Sequence, residues 1–109
     1  MRIQNIRHGK HFVMIMAAAL LAGVLQSAAA ADGQAVYDKS CKLCHDKGVM
    51  GSPKTGDKDK WAPLIKGGDA ALEESVIKGK GKMKPRAGNS SLSDEDIKAA
   101  VAYMISKSQ

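Results

Sequence analysis

No stretch constrains this chain more than Cys41-Lys42-Leu43-Cys44-His45. Two thiols three positions apart, with an imidazole directly after them, is the spacing at which a c-type haem is attached to a polypeptide. Each sulfur would form a thioether with one former vinyl group of the same porphyrin, so both must lie on one helical turn. His45, held beside the second of these bonds, would then place its ring under the iron as the proximal axial ligand. A chain attached in this way must fold around a large, flat, apolar body.

Cys-x-x-Cys also serves thioredoxin-like redox sites, halves of zinc sites and small disulfide loops. A thioredoxin-like motif follows a strand, whereas Gln34-Ala35-Val36-Tyr37-Asp38-Lys39-Ser40 has no β-branched run. A structural zinc takes four ligands. The chain has 2 Cys and 3 His, and His8 and His11 lie in a segment expected to be removed. Haem attachment therefore leads, dithiol or disulfide chemistry follows, and zinc comes last.

Residues 1–11 are basic and contain no acid, Phe12 to Leu25 is almost wholly apolar, and Gln26-Ser27-Ala28-Ala29-Ala30-Ala31 supplies small residues. These are the three parts of a secretory signal peptide. Cleavage after Ala30 or Ala31 is expected, leaving one domain over residues 31–109 in the periplasm. The competing reading is a retained leader, since Phe12 to Ala31 is just long enough to cross a bilayer; membrane contact is expected only in that case. The leader carries Arg2, Arg7 and Lys10, so half of the formal +6 charge belongs to it. No basic stripe interleaved with stacking aromatics remains to suggest nucleic-acid binding. Outside the cytoplasm a thiol pair is oxidised or otherwise committed, and haem attachment is such a commitment.

In the domain, Asp32 can cap a helix over Gly33–Ser40 that presents the cysteines, with Tyr37 in its core face. Asp46 to Gly56 is too rich in Gly and Pro for regular structure. Pro53 within it is either a plain turn residue or the carbonyl that accepts from the second ring nitrogen of His45. Asp57 can cap Lys58–Lys66, with Trp61, Leu64 and Ile65 on one face and either the first turn or a break near Pro63. Gly67-Gly68 stops that helix. Asp69 then caps Ala70–Lys78, with Leu72, Val76 and Ala71 inward, and Gly79 ends it. Gly79 to Asn89 is a basic loop whose single large apolar residue is Met83. No helix face asks for a methionine there, so Met83 is read as a soft axial ligand ahead of Met50, close behind His45, and Met104, which fits the last helix. Ser93-Asp94-Glu95-Asp96 forms a loose capping box. Ile97, Ala100, Val101, Met104 and Ile105 then mark the inward stripe of a terminal helix.

Taken in order, these features resemble the small class I c-type cytochromes, and among them the cytochrome c5 group of short bacterial monohaem proteins. The residues that carry the likeness are Cys41 to His45, Gly48 to Asp57, Trp61-Ala62-Pro63, Met83 with Pro85, Leu92 to Ile97 and Ala99 to Met104. The resemblance implies an all-α fold of about four helices wrapped around one covalent haem c. It also implies thioethers at Cys41 and Cys44, iron ligands His45 and Met83, and a Pro53 carbonyl supporting the histidine. Trp61 would either reach a propionate or pack. Members commonly have proline directly after the ligand methionine, whereas here Lys84 comes before Pro85. The second cysteine pair of some members is absent.

An iron held on both sides by the protein has no vacant position for substrate, so the expected role is a monomeric carrier of single electrons between redox proteins. Lys78, Lys80, Lys82, Lys84 and Arg86 could steer docking to acidic faces on those partners. The rivals are a haem enzyme or gas sensor with a labile Met83, and a thiol-disulfide oxidoreductase using Cys41 and Cys44.

A domain of this size usually needs a staple, here the porphyrin itself. The double variant Cys41→Ala, Cys44→Ala should give no pyridine haemochrome and poor helicity by circular dichroism. Full helicity with a cooperative melt would contradict it.

Overall fold

The computed structural model describes residues 31–109, and the expected leader lies outside them. Asp32 is extended, and its carboxylate accepts from the amides of Gln34 and Ala35 at 3.1 and 3.2 Å, which opens α1 (Gly33–Ser40). Cys41 ends α1 and starts α2 (Lys42–His45), a single turn. In that turn the amides of Cys44 and His45 both donate to the Cys41 carbonyl, at 3.3 and 3.1 Å. A 3₁₀ turn at Val49–Gly51 follows. Next come α3 (Lys58–Lys66) and α4 (Asp69–Lys78), a second 3₁₀ turn at Pro85–Gly88, and α5 (Asp94–Ser108). The described residues thus hold five α-helices and no strand. The one beyond the expected four is α2, too short to leave a periodic signature.

Three local expectations are corrected. α3 runs through Pro63 without a break. In so short a helix the proline strands only the carbonyl of Asp59, which is exposed and open to water. Asp69 does not cap α4 but is its first residue; Gly68 is the cap and contributes no side-chain bond. The Asp69 carboxylate still complements the positive end of the helix dipole. Ala71 is exposed, while Ile77 packs against the core beside Leu72 and Val76.

α5 is the hub on which α1, α3 and α4 pack. Its start is fixed by reciprocal bonds: the Ser93 amide donates to Asp96 Oδ2 and the Asp96 amide to Ser93 Oγ, each at 3.0 Å. Ile97, Ala100, Val101, Met104 and Ile105 are all buried along one stripe. Ile97, Val101 and Ile105 join Leu92 in one apolar cluster; Met104 joins Tyr37 and Trp61 in a second. The rings of Tyr37 and Tyr103 meet at 5.2 Å across the α1–α5 crossing. Such tilted aromatic pairs add to the burial they share.

Gly33 makes that crossing possible. A β-carbon there would lie 2.2 Å from the Ala99 carbonyl oxygen and 3.1 Å from Tyr103 Cβ. Since α1 carries Cys41 at its end, this contact also sets where the cysteines sit relative to α5.

Gly33→Ala should therefore lower the stability of the haem-loaded protein by roughly 1–3 kcal/mol through overpacking. A denaturant titration checks it, and an unchanged midpoint would contradict the close approach.

Candidate haem site

On one side of the cleft His45 is held by the loop that follows it. Its Nδ1 donates to the Pro53 carbonyl at 2.9 Å. A carbonyl can only accept, so the ring proton is on Nδ1 and the lone pair on Nε2 is free for a metal. The His45 carbonyl accepts from the Thr55 amide at 2.8 Å. Between these two anchors, the Lys54 carbonyl accepts from the indole Nε1 of Trp61 at 2.9 Å. The Gly56 amide then donates to Ser108 Oγ at 2.9 Å, tying the strap to the last turn of α5. Residues 53–56 thus bind His45, α3 and α5 at once.

Sequence reasoning offered Trp61 either a propionate contact or a packing role. An indole has one N–H, and here it is given to Lys54, with the residue only 4% exposed. Its ring lies 6.4 Å from that of His45. The structure shows it as a buried tie to the strap.

On the other side, Met83 sits in a tight reversal. Its amide donates to the Lys80 carbonyl at 3.0 Å and its carbonyl accepts from the Lys80 amide at 2.9 Å. Gly79, with φ of +82°, lies under this reversal. A β-carbon there would come within 2.8 Å of the Met83 carbonyl oxygen and 2.9 Å of the Pro85 nitrogen. The glycine that ends α4 is thus also the floor of the methionine loop, a second role that a helix stop does not announce. Downstream, Arg86 Nη1 donates to the Leu92 carbonyl at 2.8 Å, and the Asn89 side-chain Nδ2 donates to Ser40 Oγ at 3.1 Å. None of these ties was legible, because each joins loop residues to partners fixed by the fold.

Between the two sides lie adjoining cavities of about 340 and 500 Å³. Both fall in the range of roughly 300–1,000 Å³ usual for cofactor sites. They share His45, Met83, Val76, Val101 and Met104, so they are two lobes of one cleft. Cys41 and Cys44 line the first lobe; Trp61, Leu64 and Leu72 line the second. Lys60, Lys80, Lys82 and Lys84 are the lining lysines, and no Asp or Glu lines either lobe. Both cysteines are free thiols, and burial pushes that of Cys41 up to about 11. Disulfide exchange runs through thiolate, which is scarce at such a sulfur. Apolar walls, two unpaired thiols on one turn, an imidazole with a free Nε2, a thioether, and only cations to meet two carboxylates together suit a haem.

A small all-helical domain built around such a cleft is a c-type cytochrome in outline, and comparison with known proteins specifies the class. Residues 28–104 match the family model described as cytochrome c oxidase, cbb3-type, subunit III. Cytochrome c-555 of Chlorobaculum tepidum is 44% identical over 100 residues, which cover 88% of this chain and 93% of that protein. Cytochrome c5 of Azotobacter vinelandii is 34% identical over 77 residues, covering 69% and 93%. Among solved structures, a cytochrome c in an electron transfer complex with nitrite reductase matches with a TM-score of 0.69 and 42% identity, over 72% of this chain and 95% of that one. Cytochrome c551 of Ectothiorhodospira halophila matches with a TM-score of 0.60 and 34% identity, over 70% and 99%. The chain belongs to the small class I c-type cytochromes, electron carriers that hold one covalent haem c and its iron and work with redox partners.

Lys84, which stands where this family commonly has proline, adopts φ −67° and ψ 155°. That is the φ a proline ring imposes. Lys84→Pro should leave the visible spectrum unchanged and raise stability by about 0.4–1 kcal/mol by restricting the unfolded chain. Denaturant titration measures the gain; a loss would show that the loop needs another geometry.

Proposed function

We propose that this protein is a periplasmic carrier of single electrons in which Cys41 and Cys44 hold the haem through thioethers and His45 and Met83 are the axial ligands of its iron. The observation that carries this reading is the 2.9 Å bond from His45 Nδ1 to the Pro53 carbonyl, within a cleft that Met83 also lines. The bound haem supplies a one-electron ferric/ferrous couple. Pro53 fixes the tautomer and plane of His45 and raises the basicity of Nε2. Met83 contributes a neutral, soft sulfur that favours the ferrous state. With His45 and Met83 both holding the iron, no position would be left on it for water or substrate. His45 is the single histidine of residues 31–109, so no second imidazole is at hand to assist peroxide or gas chemistry.

The basic rim is narrower than its sequence suggests. Lys78 pairs with Glu74, and Arg86 pairs with Asp94 at 2.7 Å. The steering charge thus rests on Lys80, Lys82 and Lys84, which line the cleft. A relative captured in an electron transfer complex with nitrite reductase supports a protein partner, here one with an acidic face met by a monomer. No helix among the described residues is long and apolar enough to cross a membrane. Export followed by removal of residues 1–30 is tested by the intact mass of the periplasmic protein.

Ferric wild-type protein should show the near-infrared charge-transfer band of a methionine–iron bond. Met83→Ala should lose it, and its potential should fall by a few tenths of a volt, within the roughly 0.8 V over which axial ligands move haem potentials. A band that survives this substitution would transfer the role to Met50 or Met104.

Charge reversal of Lys80, Lys82 and Lys84 should slow transfer to an acidic partner by about tenfold at low salt, and added salt should shrink the difference. Stopped-flow rates that ignore both changes would remove the steering role.

A further inference from the structure

We infer that Arg86 is a positioning residue for Met83, a clamp that ties the ligand loop to the start of α5 and sets how readily the sulfur leaves the iron. This rests on Met83 being the distal ligand. Three residues after that methionine the backbone enters a left-handed run: Arg86 has φ 55° and ψ 34°, Ala87 has φ 52° and ψ 28°, and Gly88 has φ 74°. Two successive residues bearing a β-carbon do not hold this conformation unaided. They persist where their surroundings impose it.

What imposes it is the guanidinium. Nη1 donates to the Leu92 carbonyl at 2.8 Å and Nη2 to Asp94 Oδ1 at 2.7 Å, so both arms of the fork reach the segment that opens α5. Leu92 is buried and Asp94 begins α5, so both anchors belong to the rigid part of the fold. The Arg86 side chain is 32% exposed, which leaves these charge-assisted bonds partly shielded from water. Asn89 completes the hold by donating to Ser40, the residue before Cys41. Upstream, Met83 is fixed by its two backbone bonds to Lys80. These bonds keep the turn at Met83 intact, so its side-chain ties to the rest of the fold are those of Arg86 and Asn89 downstream.

The clamp concerns ligand exchange, in which an iron–sulfur bond breaks and an iron–nitrogen bond forms with no change of oxidation state. Imidazole binding to the ferric holoprotein reads this directly, because the incoming nitrogen waits for Met83 to leave. In Arg86→Leu the rate should rise about tenfold or more, as expected for the loss of two charge-assisted bonds. Arg86→Lys, a point charge without the fork, should fall between that variant and wild type. Asp94→Asn should show a smaller rise, because the bond to the Leu92 carbonyl survives. The methionine–iron band should remain at neutral pH in all three but bleach at a lower pH than in wild type as the solution is made alkaline.

Tyr103→Leu, which removes the ring contact with Tyr37 while lining neither lobe and bonding nothing in the loop, is the control for general destabilisation and should leave the imidazole rate near that of wild type. A wild-type rate in Arg86→Leu with the band present would overturn the clamp while sparing the ligand. An equal acceleration in Tyr103→Leu would also overturn it, assigning the effect to overall stability. Absence of the band in wild type would instead overturn the Met83 assignment and the clamp together. If Arg86→Leu does not fold, Arg86→Lys and Asp94→Asn carry the same comparison.

Discussion

The donation from His45 Nδ1 to the Pro53 carbonyl is the interaction on which the site is built. An imidazole on a one-turn helix has little to orient it, because α2 buries no residue. The orientation comes from the strap, and the strap is held by parts of the fold far apart in sequence. Trp61 in α3 secures Lys54, while Ser108 at the end of α5 secures Gly56. Each tie uses a backbone group that would otherwise lie half-buried and unpaired, a costly state in a loop without regular structure. The same bonds that satisfy the loop therefore aim the ring.

The far side of the cleft follows a different principle. His45 is held by hydrogen bonds to its own ring, whereas Met83 offers only a weak acceptor sulfur and is placed through its backbone. The reversal at Lys80, the floor at Gly79 and the bonds of Arg86 and Asn89 restrain the chain on both flanks of the methionine. With Met83 as the proposed ligand, its hold on the metal would be tuned by altering the loop alone. The proximal side offers no such freedom, since its acceptor is a main-chain carbonyl.

How much of this was legible follows from the range of each interaction. Cys41 to His45, the capping box at Ser93 and the stripe from Ile97 to Ile105 are written in short, periodic patterns, and the structure shows that turn, that cap and that buried face. Met83 stood out because a glycine-rich basic loop has no packing use for it. Gly33 was hidden because its reason is a carbonyl on α5, and the left-handed Arg86 and Ala87 because no side-chain preference asks for that backbone. Trp61 could be read two ways, since sequence does not say where a single indole proton goes. Asp69 and Pro63 misled for a simpler reason. Local preference names a favoured position, and in a short helix the cost of ignoring it is small when water can reach the exposed backbone.

Lys84 departs from such a preference in its side chain but not in its backbone. Its backbone occupies the proline conformation, so the loop has kept the shape that proline would preset. A lysine there forgoes about 0.4–1 kcal/mol of restriction on the unfolded chain. It gains a cation at the mouth of the cleft beside Lys82. Lys78 and Arg86 are already paired with carboxylates. Without Lys84 the basic loop would place two lysines, Lys80 and Lys82, at the cleft in place of three. Under the proposed steering role that field would act on the rate of each approach, and the bonds flanking Met83 restrain the loop without a second proline.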